Sequence, residues 1–326
     1  MKSIFNIFQT LKDEPMHGSS GFNIASIPTI KTHKIGISES GLPMFFVKCD
    51  DLNSIKTLDY NLEYISVQFN KECLLFSNNK EISKGFFTII SLKTDSIDLQ
   101  KYFLEIVFLV VKNLPSNPKL TILKSEVEKL ISLFTKFSKP AQKTVQGLWA
   151  ELLVIEQASN PDYLIQSWHN SIIDKFDFND GHDKIEVKST SKSRRVHNFS
   201  IEQLNPNINS NLIIASVFAV ETGLGKNIFN LVELIEQKLK DINLVNRMNE
   251  IIAQTLGKEF EKSFEMYFDY QLAIDSLAYY ECAVIPKISL TFVPLELSNI
   301  RFDCDLTNTK STKTFKSKSI LHKSLL

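Results

Sequence analysis

Between Ile172 and Thr190 the chain reads IIDKFDFNDGHDKIEVKST, in which Asp177 precedes the triplet Glu186-Val187-Lys188 across a turn built on Asp180-Gly181. Two carboxylates and a lysine at that spacing can hold a cation with an ammonium beside it. Residues two apart on a strand share a face, so Glu186 and Lys188 project together while Ile185 and Val187 project the other way. Asp-Gly between two such runs is a hairpin signal. A loop of two or four residues there pairs Asp177 with Lys184 and places it diagonal to Glu186, within reach for two carboxylates to share one cation. Phe176 and Phe178 then join Ile185 and Val187 on a buried, apolar face, and Lys175, Asp177, Lys184, Glu186 and Lys188 form the other face. In that register Asp174, the rival first carboxylate, points into the core. An odd-length loop would exchange the two aspartates.

Hard oxygen ligands on adjacent strands suit Mg²⁺, with Mn²⁺ as its substitute, because such ions keep several waters and accept phosphate oxygens in their open positions. The Lys188 ammonium can align an attacking water and balance charge that builds on a phosphoryl group. The competing account is an amphipathic surface hairpin whose acids and lysines are merely solvated, and short charged patterns alone do not decide between the two.

The elements around the hairpin add weight. Ser138-Lys139-Pro140 has the form of a capped helix start, and Asn160-Pro161 the form of a stop. Between them Val145, Leu148, Trp149, Leu152 and Ile155 recur at helical spacing, with Glu151 on the rim of the apolar stripe. A helix packed beside the hairpin can aim Glu151 at the same cation. Downstream, the stretch from Lys188 to His197 holds Lys192, Arg194 and Arg195 and no acid. A positive patch next to carboxylates suits a polyanion, with Arg195, His197 and Gln203 as further candidates for contact with phosphates. Each of these can equally be a solvated loop residue.

The blocks Gly147-Leu148-Trp149-Ala150-Glu151-Leu152, Lys175-Phe176-Asp177-Phe178, Ile185-Glu186-Val187-Lys188-Ser189-Thr190, Arg195-Val196-His197-Asn198-Phe199-Ser200 and Gln203-Leu204, in that order, resemble the signature of the PD-(D/E)xK nuclease superfamily. More narrowly they are similar to the PD-(D/E)xK-motif proteins of prokaryotic restriction and phage-defence gene clusters. The resemblance implies an α/β restriction-endonuclease-like core, a mixed sheet flanked by helices, that cuts DNA with Mg²⁺. It implies Asp177 and Glu186 as metal ligands, Lys188 as the catalytic lysine and Glu151 as the helix-borne acid that assists the metal. One departure is plain: Phe176 stands where a proline often precedes the first aspartate.

Composition sets the limits. The chain has 326 residues, enough for two cores, and 37 basic against 37 acidic residues give a formal net charge of zero. Binding to nucleic acid must therefore rest on local patches or on a partner. Cys49, Cys73, Cys282 and Cys304 are scattered without C-x-x-C spacing, which argues against structural zinc and for reduced thiols in a cytoplasmic protein. No secretory signal is expected from the first residues, and the most apolar run, Tyr102 to Val111, is too short to cross a membrane.

Along the chain the first thirty residues, with Pro15, Gly18, Gly21 and Pro28, read as coil. From about Lys34 to Leu92, KIGIS, PMFFVKC, LEYISVQF, CLLF and FFTIISL read as strands of a small antiparallel sheet, closed by a helix from about Ser96 to Leu114. Residues 1–122 form a β-rich N-terminal domain for recognition or partner docking, and residues 123–306 the nuclease domain. Within the latter, Asn211 to Val220 reads as a strand buried on both faces, Ile228 to Leu256 as one or two helices, and Tyr279 to Ile288 and Ser289 to Leu295 as strands. Residues 307–326, with Lys310, Lys313, Lys316, Lys318 and Lys323 and no acid, read as a flexible basic tail, or alternatively as an electrostatic arm.

The expectation is a Mg²⁺-dependent endodeoxyribonuclease of a restriction-type or antiviral defence system. DNA is its expected partner, a methyltransferase or ATPase encoded alongside is a further one, and double-strand cutting favours a homodimer. The alternatives are a DNA-binding or assembly subunit that keeps the nuclease fold while a partner cuts, and a nuclease acting on RNA.

Overall fold

The computed structural model describes residues 3–14, 21–49, 58–77, 80–169, 174–207, 209–315 and 319–326. Its internal contacts divide the chain into two units, residues 1–139 and 140–326.

The first unit opens with α1 (Ile4–Lys12), because Ser3 accepts the Asn6 N–H at 3.2 Å and Ile4, Phe8 and Leu11 bury one face. A helix here, followed by strand β1 (Phe22–Ile27), replaces the expected coil; Pro15 and Gly18 lie outside the described residues. Strands β2 (Ile30–Ile37), β3 (Pro43–Val47), β4 (Tyr60–Asn61), β5 (Ile65–Ser77) and β6 (Lys80–Leu92) follow, then α2 (Ile97–Asn113) and α3 (Leu120–Lys136). The expected strands LEYISVQF and CLLF are one strand, β5, carried across a bulge between Gln68 and Lys71.

Strand order is β1-β2-β3-β6-β5-β4 with antiparallel neighbours, and β1 also pairs in parallel with β5 through Phe22–Leu75 and Asn23–Phe76. Five strands thus close on themselves around Ile24, Met44, Phe46, Cys73, Leu75, Phe87 and Ile89. The sheet is therefore not the purely antiparallel one expected. Phe45 of β3 faces the other way and packs on Phe103 of α2, which packs on Phe134 of α3 with ring centroids 5.8 Å apart. That contact ties α3 to the first unit, and the division falls at Lys139/Pro140 rather than at 122/123.

The second unit contains α4 (Val145–Gln157), α5 (Pro161–Ser167), β7 (Phe178–Asn179), β8 (Lys184–Thr190), β9 (Val196–Ser200), β10 (Leu212–Phe218), β11 (Glu221–Lys226), α6 (Ile228–Glu236), α7 (Ile242–Leu256), α8 (Tyr270–Ser276), β12 (Ala278–Glu281), β13 (Arg301–Asp305) and α9 (Ile320–Lys323). A mixed four-stranded sheet runs β12-β10-β8-β7, with β8 and β10 parallel and the outer pairs antiparallel; β9 and β13 form a separate antiparallel pair. This mixed α/β architecture has the general character expected. β10 is buried over almost its whole length, as its unbroken apolar run requires.

Two expectations fail. The strand β12 ends at Glu281, and Ser289 to Leu295 is not a strand: Pro286 and Pro294 interrupt backbone pairing, and only short 3₁₀ turns form. The stretch 307–326 is not a free tail among its described residues. Thr312 bridges to Tyr279, and α9 buries Leu321 and His322, whose Nε2 lies 3.0 Å from the Lys184 carbonyl. Its apolar residues offset the lysines that the tail reading weighed; Lys316 and Lys318 lie outside the described residues. Among the described residues no helix is long and apolar enough to cross a membrane.

Candidate active site

The hairpin forms, in a shifted register. Phe178 pairs with Ile185 and Asn179 with Lys184, which places Asp177 across from Glu186 rather than Lys184. The turn closes one residue later than expected, with Gly181 at φ +87° supplying the left-handed conformation. Because the shift is even, parity survives and Asp177 remains the aspartate turned toward Glu186. Asp174 is not in the core; it lines the same cavity. The division into a buried and a solvated face also fails. β8 is flanked by β7 and β10 and covered by α4, so Asp177 and Glu186 are 4 % and 3 % exposed.

α4 begins at the Thr144 cap, whose hydroxyl accepts the Gly147 N–H at 3.1 Å, and not at Ser138. The Asn160 side chain caps α5 instead of ending α4. Glu151 is not a rim residue but 2 % exposed, facing the strands. Its Oε2 accepts Trp168 Nε1–H at 2.7 Å and lies 2.8 Å from His169 Nε2, and its Oε1 lies 2.6 Å from Lys143 Nζ. Lys143 Nζ also donates to Asp177 Oδ1, and Asp177 Oδ2 accepts the Val187 N–H at 2.7 Å. His169 holds a left-handed backbone, φ +42°, and its N–H donates to the Asp177 carbonyl. Such strain in a non-glycine residue persists only where the surroundings over-determine it, and here it turns the imidazole onto Glu151.

On the other side of the cavity Glu186 Oε1 accepts from Lys188 Nζ at 2.9 Å and from Gln203 Nε2 at 2.5 Å. Gln203 Oε1 in turn accepts from Lys188 Nζ at 3.1 Å and from the Ser200 N–H. Glu186 Oε2 is buried and has no hydrogen-bond partner among the described residues. Lys188 Nζ also lies 5.0 Å from the centre of the Phe199 ring.

The ionisation states differ across the cavity. Burial disfavours the Glu151 carboxylate, but Lys143 and His169 outweigh it and bring its pKa down to about 2. Burial likewise works against the Lys143 ammonium, yet Asp177 and Glu151 hold its pKa well above the ordinary lysine value. Burial, reinforced by Glu151, raises Asp177 despite Lys143. Burial with the Asp177 charge pushes Glu186 up to about 8 against the pull of Lys188.

These residues line one cavity of about 770 Å³, together with Gln142, Thr144, Lys175, Gln254 and Arg301 among others. Of the residues singled out from sequence, the fold brings Glu151, Asp177, Glu186, Lys188 and Gln203 to that cavity. It does not bring Lys192, Arg194, Arg195 or His197. Lys192 is exposed, and Arg194 is exposed and paired with Asp305. Arg195 turns inward, where Nη1 donates to the Ser216 carbonyl and hydroxyl, Nη2 donates to the Ser276 carbonyl, and the guanidinium covers the Phe218 ring. His197 is 3 % exposed against Ser216 Oγ, and burial, with Lys188 and Arg195 nearby, lowers its pKa to about 4. The expected phosphate contacts of these two residues are thus replaced by structural ones. Sequence reasoning passed over Lys143, His169 and Arg301, which belong to no spaced pattern and meet the site only through tertiary folding.

The donor set fits a divalent cation. Ligand atoms of Glu151, His169 and Asp177 all lie within 4.8 Å of one another, and Glu186 lines the same cavity.

The fold is mixed α/β with buried acids and a lysine around one cavity, and comparison of the sequence with family models identifies the class. Residues 5–307 match the family described as "Putative PD-(D/E)XK family member, (DUF4420)", and the chain belongs to that family. No curated protein and no solved structure matches it.

Proposed function

We propose that this chain is a metal-dependent endodeoxyribonuclease that hydrolyses DNA phosphodiester bonds in restriction-type or antiviral defence. The observation that supports this most is the convergence of Glu151, Asp177, Glu186 and Lys188, drawn from α4, the hairpin and β8, on one cavity. Family membership points the same way, toward a nuclease.

Glu151, Asp177 and Glu186 would hold Mg²⁺ or Mn²⁺, which when bound polarises the scissile phosphate and lowers the pKa of a coordinated water. The rest of the work belongs to side chains. Gln203 fixes Lys188 and Glu186 relative to each other, so the ammonium is pre-aimed at a water beside Glu186. Lys188 orients that water for in-line attack and offsets charge building on the phosphate, while the 3′ oxygen leaves. Lys175 and Arg301, both exposed at the cavity mouth, supply positive charge for the strand's phosphates. The zero net charge favours assistance in DNA binding from a partner, a methyltransferase or ATPase, or from a second copy of the chain.

The test is nicking of plasmid and phage DNA with Mg²⁺. Lys188→Ala should leave Mn²⁺ binding nearly intact by calorimetry while cleavage falls by about a hundredfold or more, the scale of losing one transition-state-stabilising group. Lys188→Arg should not restore it, because a planar guanidinium does not reproduce a compact ammonium beside a water. Wild-type protein that binds DNA but stays inert with every divalent metal and partner tried would favour the assembly-subunit reading. Cleavage of RNA alone would move the substrate class.

A further inference from the structure

Lys143 has no place in the expected motif, yet its ammonium sits between two buried carboxylates. Nζ is 2.6 Å from Glu151 Oε1, donates to Asp177 Oδ1 and lies 3.5 Å from His169 Nε2. Those three residues are the group whose ligand atoms converge closely enough to hold a metal ion. The ammonium therefore stands where a cation ligated by them would stand.

We propose that Lys143 is a built-in placeholder cation: it neutralises Glu151 and Asp177 in the metal-free protein, and a divalent ion must displace it to be held by them. The proposal rests on the metal-dependent reading of the site above. Two buried carboxylates this close are costly without a positive charge between them. A monovalent ammonium meets that need without filling a coordination sphere, so a divalent ion with several oxygen ligands can replace it. Glu186 on the same cavity wall, with one oxygen that has no hydrogen-bond partner among the described residues, would supply a donor that Lys143 does not use.

The backbone allows a side-chain exchange without unfolding. On one side of Lys143 the Gln142 N–H donates to the Thr255 carbonyl at 2.8 Å, and on the other Thr144 caps α4. The lysine is thus anchored at its base, while its side chain is one-third exposed and has an outlet into the cavity. Swinging outward would place the ammonium at the mouth with Lys175 and Arg301, where phosphates of a bound strand provide new partners. Metal loading and nucleic-acid binding would then favour each other through one side chain.

Two measurements test this. In calorimetry with Mn²⁺, Lys143→Met, of similar length but uncharged, should bind more tightly than wild type, by about tenfold or more if the seated lysine leaves only a small fraction of molecules competent. Unchanged or weaker binding by the folded variant overturns the proposal. If the variant does not fold, wild-type protein decides: acetic anhydride labelling of Lys143, read by mass spectrometry, should be slow in EDTA and rise several-fold with Mn²⁺ or Mg²⁺. Labelling that stays slow under saturating metal overturns the proposal while leaving the nuclease reading in place. Absence of any metal binding by wild type and variant alike, with normal folding, would remove both; binding by the variant alone would support the placeholder in its strongest form.

Discussion

Two glutamates face the same cavity, both almost wholly buried, and they ionise in opposite directions. Glu151 has Lys143, Trp168 and His169 around its two oxygens and stays charged to about pH 2. Glu186 shares one oxygen between Lys188 and Gln203, leaves the other without a partner, and rises to about 8. Burial is equal, so the partners decide. One side of the site has its charges and hydrogen bonds met within the protein, and the other keeps a buried oxygen without a hydrogen-bond partner among the described residues.

The contrast can be broken most forcefully from the Glu151 side. Glu151→Ala strips Trp168 Nε1–H and His169 of their acceptor and takes from Lys143 one of its two carboxylate partners. Two donors left without an acceptor, at about 1–3 kcal/mol each, should together cost about 2–5 kcal/mol, read as a fall in the urea midpoint at pH 7 in EDTA. A loss below about 1 kcal/mol would mean that the cluster is solvated and the contrast false.

A second, smaller effect extends the rule to a group without a charged partner. His197 is buried against a hydroxyl, and burial with two nearby cations lowers its pKa to about 4. The unfolded chain titrates this histidine near its ordinary value of 6.5 and so binds more protons than the folded one between pH 6.5 and about 4. Stability present above pH 6.5 is therefore lost as pH falls through that window, at most by about 1.4 kcal/mol per pKa unit. His197→Gln, which keeps an amide toward Ser216, should flatten that part of the stability–pH curve; an unchanged slope would assign the acid loss to other groups.

The smallest effect is expected on the Glu186 side. Glu186→Gln in EDTA should change stability by no more than about 1 kcal/mol in either direction, since the amide oxygen can still accept from Lys188 and Gln203. The same variant should lose most of the thermal stabilisation that Mn²⁺ gives to wild type. A large loss without metal would show that Glu186 is structural after all.

Much of the site was legible because strand parity and helical spacing are local. Asp177, Glu186 and Lys188 were readable from a two-residue period, and Glu151 from its place beside the apolar stripe of α4. What local patterns do not carry is depth. Glu151 reads as a rim residue because nothing nearby announces that α4 lies under the sheet, and the hairpin reads as half-solvated because the parallel neighbour β10 comes more than twenty residues later. Arg195 and His197 look like phosphate ligands in a run of cations, yet Ser216 on β10 takes both. Lys143 and His169 had no readable signal, since a lysine before a helix cap and a histidine after a tryptophan gain meaning only when Glu151 and Asp177 stand between them. In the first unit the β-rich character was plain, but closure of the sheet was not: the β1–β5 pairing joins residues far apart in sequence and leaves no periodic trace.

That closure also sets an order of events. The β5–β6 hairpin assembles from adjacent residues at little entropic cost, whereas pairing Phe22 with Leu75 requires the intervening chain to be gathered first. β1 already pairs with β2 across a short turn, so the β1–β5 pairing is the seam of the first unit, the contact that its topology makes costliest to close. A nascent or stressed molecule that has not sewn it shut exposes the free backbone of β1 and β5, two templates on which another unfinished copy can grow.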